Sequence, residues 1–211
     1  KGTQGAGKTL PCEFLINKVF GRQCAFECTG LGPLTQRFNA MMANKIFCNI
    51  NEMSCVDSKS FYATFDKMKG LITDSHVVIE RKGLPPLNLD NCLNCIGTTN
   101  HLHTTVVENK DRRTLALECS DEFVGNRAYF DRLAASLADP ATASHVLTWL
   151  YEHESAVNLR DIPKTELKAE LELASMNAAN RFLLEIDDYL DEKRTSSDDG
   201  YDGYFCDNAP S

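Results

Sequence analysis

No apolar run in the 211 residues approaches the roughly 18 needed to cross a bilayer. The stretch Leu31 to Phe47 is interrupted by Gly, Pro, Gln, Arg, Asn and Lys. A membrane-spanning helix is therefore excluded and no membrane partner is expected. The opening residues Lys1-Gly2-Thr3-Gln4-Gly5 carry no initiator Met, no charged leader and no apolar segment, so neither a signal nor a transit peptide is expected. Internal repeats are missing, and the 43% apolar content is neither collagenous nor wholly disordered. There is no excess of positive charge either, since the formal net charge is −8.

That charge is unevenly spread. Residues 1–150 hold 16 Lys and Arg against 15 Asp and Glu, whereas residues 151–211 hold 6 against 15. The first part leaves room for a local basic stripe that touches nucleic acid, and the acidity belongs to the C-terminal part. The nine cysteines are odd in number and mostly set in apolar runs, which points to free thiols in an intracellular, reducing compartment. Cys92-x-x-Cys95, with His101 and His103 nearby, has too few ligands at the right spacing to read as zinc and reads instead as a core strand leading into a loop.

Periodicity predicts a helix over Lys8–Phe20, a short strand near Cys24–Cys28, a helix over Leu34–Met42 and a buried strand over Lys45–Ile50. An amphipathic helix follows at Ser58–Ile72, capped by Asp57 and burying Phe61, Phe65 and Met68. Further strands are expected at Ser75–Glu80, Leu93–Thr98 and Arg113–Cys119, with a turn at Arg81-Lys82-Gly83 and helices at Asn126–Leu137 and Ala141–His153. The alternation implies an α/β domain, an open and mainly parallel sheet with helices on its faces, over residues 1–153. Pro163–Leu173 and Ser175–Leu190 read as acidic helices of a C-terminal extension spanning 154–194. Residues 195–211 read as a disordered acidic tail.

The chemistry-bearing motif is Gly2-Thr3-Gln4-Gly5-Ala6-Gly7-Lys8-Thr9. Glycines at this spacing let backbone N–H groups surround a β-phosphate at a helix N-terminus, Lys8 reaches the β- and γ-phosphates, and the Thr9 hydroxyl takes Mg²⁺. Binding of ATP with magnesium is expected from Gly2, Gln4, Gly5, Ala6, Gly7, Lys8 and Thr9. Glu52, ending the strand 45–50, is placed to accept a proton from the attacking water and to face the metal with Thr9. Asn100, after the strand 93–98, is placed to orient that water or bond the γ-phosphate, and Arg112 or Arg113 to neutralise the transferred phosphoryl group.

In this order the motifs resemble the ATPase core of superfamily 3 helicases, in the branch of viral and phage primase-helicases with poxvirus-type and related domains. Gly2–Thr9 matches its Walker A, Ile46–Glu52 its Walker B and Cys95–Asn100 its motif C, while Arg112-Arg113 falls in the arginine-finger region. The resemblance covers residues 2–113. It implies an AAA-like P-loop NTPase fold and a hexameric ring that moves along single-stranded DNA at a viral replication site, with a primase domain expected further toward the N-terminus. It also implies that a hairpin between motifs B and C contacts DNA through Lys69, Arg81 and Lys82. One departure stands out: the family's Walker B ends in two acidic residues, whereas this chain has Asn51-Glu52, leaving a second-shell partner of magnesium neutral. The strand that feeds the loop is expected upstream of Lys1. A nucleotide-binding module that has lost hydrolysis and a P-loop kinase for a small acceptor are the competing readings.

Overall fold

The computed structural model describes residues 1–53, 58–101, 107, 111–154, 161–176, 179–183, 185–187 and 189–190. Side chains at 58–62 are not described, so the expected cap at Asp57 and the burial of Phe61 lie outside the described residues, as do His103 and the tail 195–211.

The sequence folds into a mixed α/β arrangement around a three-stranded parallel sheet. Strand β1 spans Ala25–Thr29, β2 Phe47–Asn51 and β5 Asn94–Gly97, in the order β1-β2-β5. The register pairs Glu27 with Asn49, Cys28 with Ile50, and Asn49 with Ile96. Two further strands, β3 (His76–Ile79) and β4 (Leu87–Asp90), form a separate antiparallel pair. β4 carries no apolar alternation strong enough to stand out, with Pro85 and Pro86 just before it, and the sequence pattern does not reveal it.

Side chains alternate across the sheet, so each face meets its own core. On one face Ala25 and Phe47 pack with Cys12 and Ile16. On the other, Cys28, Cys48 and Ile50 pack with Leu31, Leu34, Met42, Met68 and Ile79. Burial on both faces is what a parallel sheet requires and explains the unbroken apolar run of β2.

Helix α1 (Leu10–Phe14) has Pro11 in its first turn, where the missing N–H costs nothing. The expected continuous helix to Phe20 instead widens into a π-turn over Leu15–Val19, closed by the Phe20 N–H to the Leu15 carbonyl at 2.8 Å. Phe20 then packs its ring against Phe47, centroids 5.7 Å apart.

The helix expected over Leu34–Met42 does not form as such. Helix α2 covers only Gly32–Thr35 before the chain turns extended at Gln36, and a single 3₁₀ turn follows at Ala40–Met42. The Asn39 side chain explains the interruption: its Nδ2 donates to Val78 O at 2.9 Å and its Oδ1 accepts from Glu80 N–H at 2.8 Å, pinning this stretch to the end of β3. Such side-chain bonds compete with a helix.

Helix α3 (Ser58–Thr73) crosses to the β3–β4 pair, and α4 (Arg127–Ala138) and α5 (Pro140–Glu152) follow close to expectation, capped by Asn126 and Asp139. α5 packs against the π-turn. The strand expected at Arg113–Cys119 is not part of either sheet. Its backbone bonds go to the first residue: the Lys1 ammonium donates to Leu117 O at 2.8 Å and Cys119 N–H to Lys1 O at 2.9 Å. Helix α6 (Glu166–Ser175), read as part of a solvated acidic extension, lays Leu167 and Leu171 against Val107 and Ala116 in a third small core.

Candidate phosphate-binding loop and its surroundings

Residues 2–9 form a turn that closes on itself before α1 begins. Gly5 and Gly7 adopt φ of +86° and +78°, a region costly for any side chain, which fixes these two positions as glycine. Lys8 Nζ donates to Gly2 O and Thr3 O, each at 2.7 Å, so its ammonium lies across the mouth of the turn. An ammonium held only by carbonyl dipoles is ready to exchange them for a stronger anion. Thr9 is the N-cap residue of α1 and makes no side-chain cap bond.

Parallel strands end on one edge, and the loops leaving β2 and β5 meet this turn. Gly2 N–H donates to Thr99 O at 3.3 Å, Met53 N–H to Thr98 O at 3.3 Å, and the Thr99 hydroxyl to Met53 O at 3.4 Å. Glu52 and Asn100 are each one residue removed from this knot, and both are exposed. Glu52 has φ +48°, the strained left-handed region for a non-glycine residue, where the chain turns sharply away from β2. The structure thus brings together Gly2–Thr9, Glu52 and Asn100.

Arg112 and Arg113 are placed otherwise. Arg112 is exposed and Arg113 half-buried, its Nε buried without a hydrogen-bond partner. Among the described residues no hydrogen bond or ion pair joins either guanidinium to loop 2–9. The segment is held by Asp111, whose Oδ1 accepts from Arg113 N–H at 2.6 Å and Oδ2 from the Thr114 hydroxyl at 2.7 Å. Lys168 of α6, 2% exposed, donates to Asp111 O at 2.6 Å.

Of the expected nucleic-acid contacts, Arg81 and exposed Lys82 lie in the connection between β3 and β4, where Gly83 turns at φ +75°. Arg81 Nε is buried and unpartnered. Lys69 sits on α3 and pairs with Asp66 at 3.0 Å, so its charge is partly neutralised.

Beneath the turn, on the α1 face of the sheet, runs a polar set the sequence reading does not single out. Asn51 Oδ1 accepts from Asn49 Nδ2 at 2.7 Å and from the Thr98 hydroxyl at 3.3 Å, and Asn51 Nδ2 donates to Glu27 Oε2 at 3.3 Å. Asn49 is fully buried and its Oδ1 has no partner. The signal was present: Glu27 is the single charge in the strand Ala-Phe-Glu-Cys-Thr, but only the register shows that it faces Asn51. On the opposite face Cys28 Sγ and Cys48 Sγ are 3.8 Å apart. The thiols of Cys12, Cys24, Cys28, Cys48, Cys92, Cys95 and Cys119 are all free, and among the described residues no group of three or more Cys, His, Asp or Glu side chains is arranged for a metal.

These features define a mixed α/β protein with a closed glycine loop at the carboxyl edge of a parallel sheet. The chain belongs to a family of unknown function, DUF5906, whose profile matches residues 1–113. It is related to the DNA primase-polymerase of Nitratiruptor phage NrS-1, at 31% identity over 120 residues, covering 57% of this chain and 16% of that protein. Two solved structures of the NrS-1 C-terminal region in the apo state share the fold. One has a TM-score of 0.68 at 22% identity, covering 84% of this chain and 42% of that one. The other has a TM-score of 0.64 at 20% identity, covering 83% and 41%. The chain therefore spans well under half the length of the proteins it matches. Among the described residues no helix is long and apolar enough to cross a membrane.

Proposed function

We propose that this chain is the ATP-dependent helicase or translocase module of a viral or mobile-element replication protein, an AAA-like P-loop ATPase of the superfamily 3 type that moves along single-stranded DNA as a ring of identical subunits. The observation that carries the reading is the Lys8 ammonium lying across a loop of left-handed glycines, with Glu52 and Asn100 at the adjoining strand ends.

The residues present fit a nucleotide and magnesium. A turn whose glycines adopt positive φ is the backbone arrangement that takes a phosphate, and Lys8 exchanges two carbonyls for phosphate oxygens. Thr9, with its hydroxyl free of a cap bond, and Glu52 would hold the metal, which when bound neutralises charge on the β- and γ-phosphates. Glu52 takes the proton of the attacking water, and Asn100 holds that water in line. Arg112 or Arg113, not joined to the loop within one subunit, fits a role in which a neighbouring subunit presents the guanidinium. Lys82 and Arg81, in the β3–β4 connection, would follow the DNA phosphates. The relationship to a phage primase-polymerase supports a role in DNA replication and a primase domain elsewhere in the protein.

The test is ATP hydrolysis by the purified protein with and without single-stranded DNA, compared with Glu52→Gln and Arg113→Ala. DNA-stimulated turnover abolished by both changes is expected. Turnover indifferent to DNA would move the assignment to a P-loop kinase for a small acceptor. A second reading, a nucleotide-binding module without hydrolysis, draws on the neutral Asn51 and would be favoured by tight ATP binding with turnover no greater than that of Lys8→Ala.

A further inference from the structure

The amide at position 51 raises a specific physical question. A magnesium ion between phosphates is helped by two negative charges at the end of the central strand, and here Glu52 is one while Asn51 is neutral. The register answers where a second charge lies. Glu27 on β1 sits on the same face as Asn49 and Asn51, because residues 25, 27 and 29 and residues 47, 49 and 51 share the α1 side of the sheet. Its Oε2 is 3.3 Å from Asn51 Nδ2.

We propose that Glu27 is a positioning residue that supplies from the neighbouring strand the negative charge Asn51 lacks, acting on nucleotide-bound magnesium through the Asn51 amide. The inference rests on the ATPase reading above.

Three observations carry it. The Asn51 amide is oriented from both ends: Asn49 and Thr98 donate to its oxygen, which leaves its NH₂ directed at the Glu27 carboxylate. A carboxylate at position 51 would face the Glu27 carboxylate at about the distance of the present hydrogen bond, and two such groups cannot both ionise without cost. Asn51 beside Glu27 therefore carries the same total charge as an acidic residue 51 beside a neutral neighbour, moved one strand across. Finally, the cation opposing Glu27 is weak: Arg22 stands 3.9 Å away and is largely exposed, so solvent screens it and the carboxylate keeps its field toward the loop.

The experiment is binding of a fluorescent ATP analogue during magnesium titration, in the purified protein and in Lys8→Ala, Glu27→Gln, Asn51→Asp and the exchange Glu27→Gln/Asn51→Asp. For Glu27→Gln we expect roughly ten-fold more magnesium at half-saturation, the size of one charge lost a few ångströms away at intermediate dielectric, with metal-free binding unchanged. The exchange restores the wild-type magnesium curve, which a merely structural role for Glu27 would not do. If Lys8→Ala weakens binding while Glu27→Gln leaves the magnesium curve unmoved, the charge assignment is overturned and the nucleotide reading stands. If Lys8→Ala leaves binding unchanged, both fall. Should Glu27→Gln not fold, the exchange decides alone: a wild-type curve supports the proposal and a weakened one overturns it.

Discussion

The Phe130 ring occupies the space a side chain on Gly7 would need: an ideal Cβ there would stand 2.7 Å from Phe130 Cε1. Phe130 is near the start of α4, more than a hundred residues away in sequence, so the glycine loop is buttressed by the helical layer as well as by the sheet.

Gly7→Ala is accordingly opposed twice, by its φ of +78° and by Phe130. The backbone term alone costs about 1–2 kcal/mol, and the ring adds to it. A lowered unfolding midpoint is expected together with loss of nucleotide binding. Adding Phe130→Leu should recover part of the stability and none of the backbone term. Full recovery in the double variant would show that the left-handed turn is dispensable.

Gly97→Ala offers a contrast. A Cβ at this position would meet Met53 Sδ at 2.7 Å, but its φ is not left-handed and the obstructing atom is the end of a flexible thioether. The stability cost should stay below about 1 kcal/mol, measured by urea unfolding. A larger loss would mean that Met53 cannot move because Thr98 and Thr99 hold its backbone.

Lys8→Ala removes the ammonium that ties Gly2 O and Thr3 O. Nucleotide affinity is expected to fall at least ~100-fold, in line with losing a charge-assisted contact of about 3 kcal/mol. Isothermal titration with ATP reads it directly, and an affinity within a few-fold of wild type would refute the assignment of Lys8.

Lys168 is a buried cation whose amine caps the Asp111 carbonyl. Lys168→Met keeps the stem and loses the bond, and should cost about 1 kcal/mol. Lys168→Ala also opens the space between Val107, Ala116, Leu167 and Leu171 and should cost about 3 kcal/mol. Equal effects of the two, in thermal unfolding, would contradict the packing of α6 on the segment that carries Arg112 and Arg113.

Alkaline pH should destabilise the fold through its thiols. Burial pushes the Cys12 thiol above the ordinary range. Hydrogen bonding with Cys28 and Cys95, and then burial, does the same to Cys48. A thiol with a raised folded pKa keeps its proton after the unfolded chain has released it. Its contribution is complete below about pH 8.5 and lost as pH rises beyond that. The urea midpoint should be flat from about pH 6 to 8 and decline above about 8.5, with a shallower decline in Cys48→Ala; an unchanged alkaline limb in that variant would exclude the thiol as its source.

Local pattern was sufficient where one periodicity dominates. β2 is visible because Ile46 to Ile50 is buried on both faces, and α4 and α5 because their caps, Asn126 and Asp139, precede regular apolar spacing. It failed where a side chain overrides propensity at a distance. Asn39 trades a helix for two bonds to the end of β3, and Thr35 turns its hydroxyl back onto Leu31 O at 3.1 Å. The site divides along the same line. Gly2–Thr9 is legible because phosphate chemistry needs contiguous residues, whereas Glu27, Asn49 and Thr98 lie on three strands and become one network only through register.

The sequence by itself determined the loop, since Gly5 and Gly7 meet a backbone demand that no other residue satisfies cheaply, and it determined the buried central strand, whose hydrophobicity has no other outlet. Tertiary structure decided which carboxylate faces Asn51, that the segment 117–119 flanks Lys1, and that α6 closes over Asp111. Each of these is a meeting of residues distant in the chain, fixed by hydrogen bonds and burial that exist only once the elements pack, and so without a signature in local pattern.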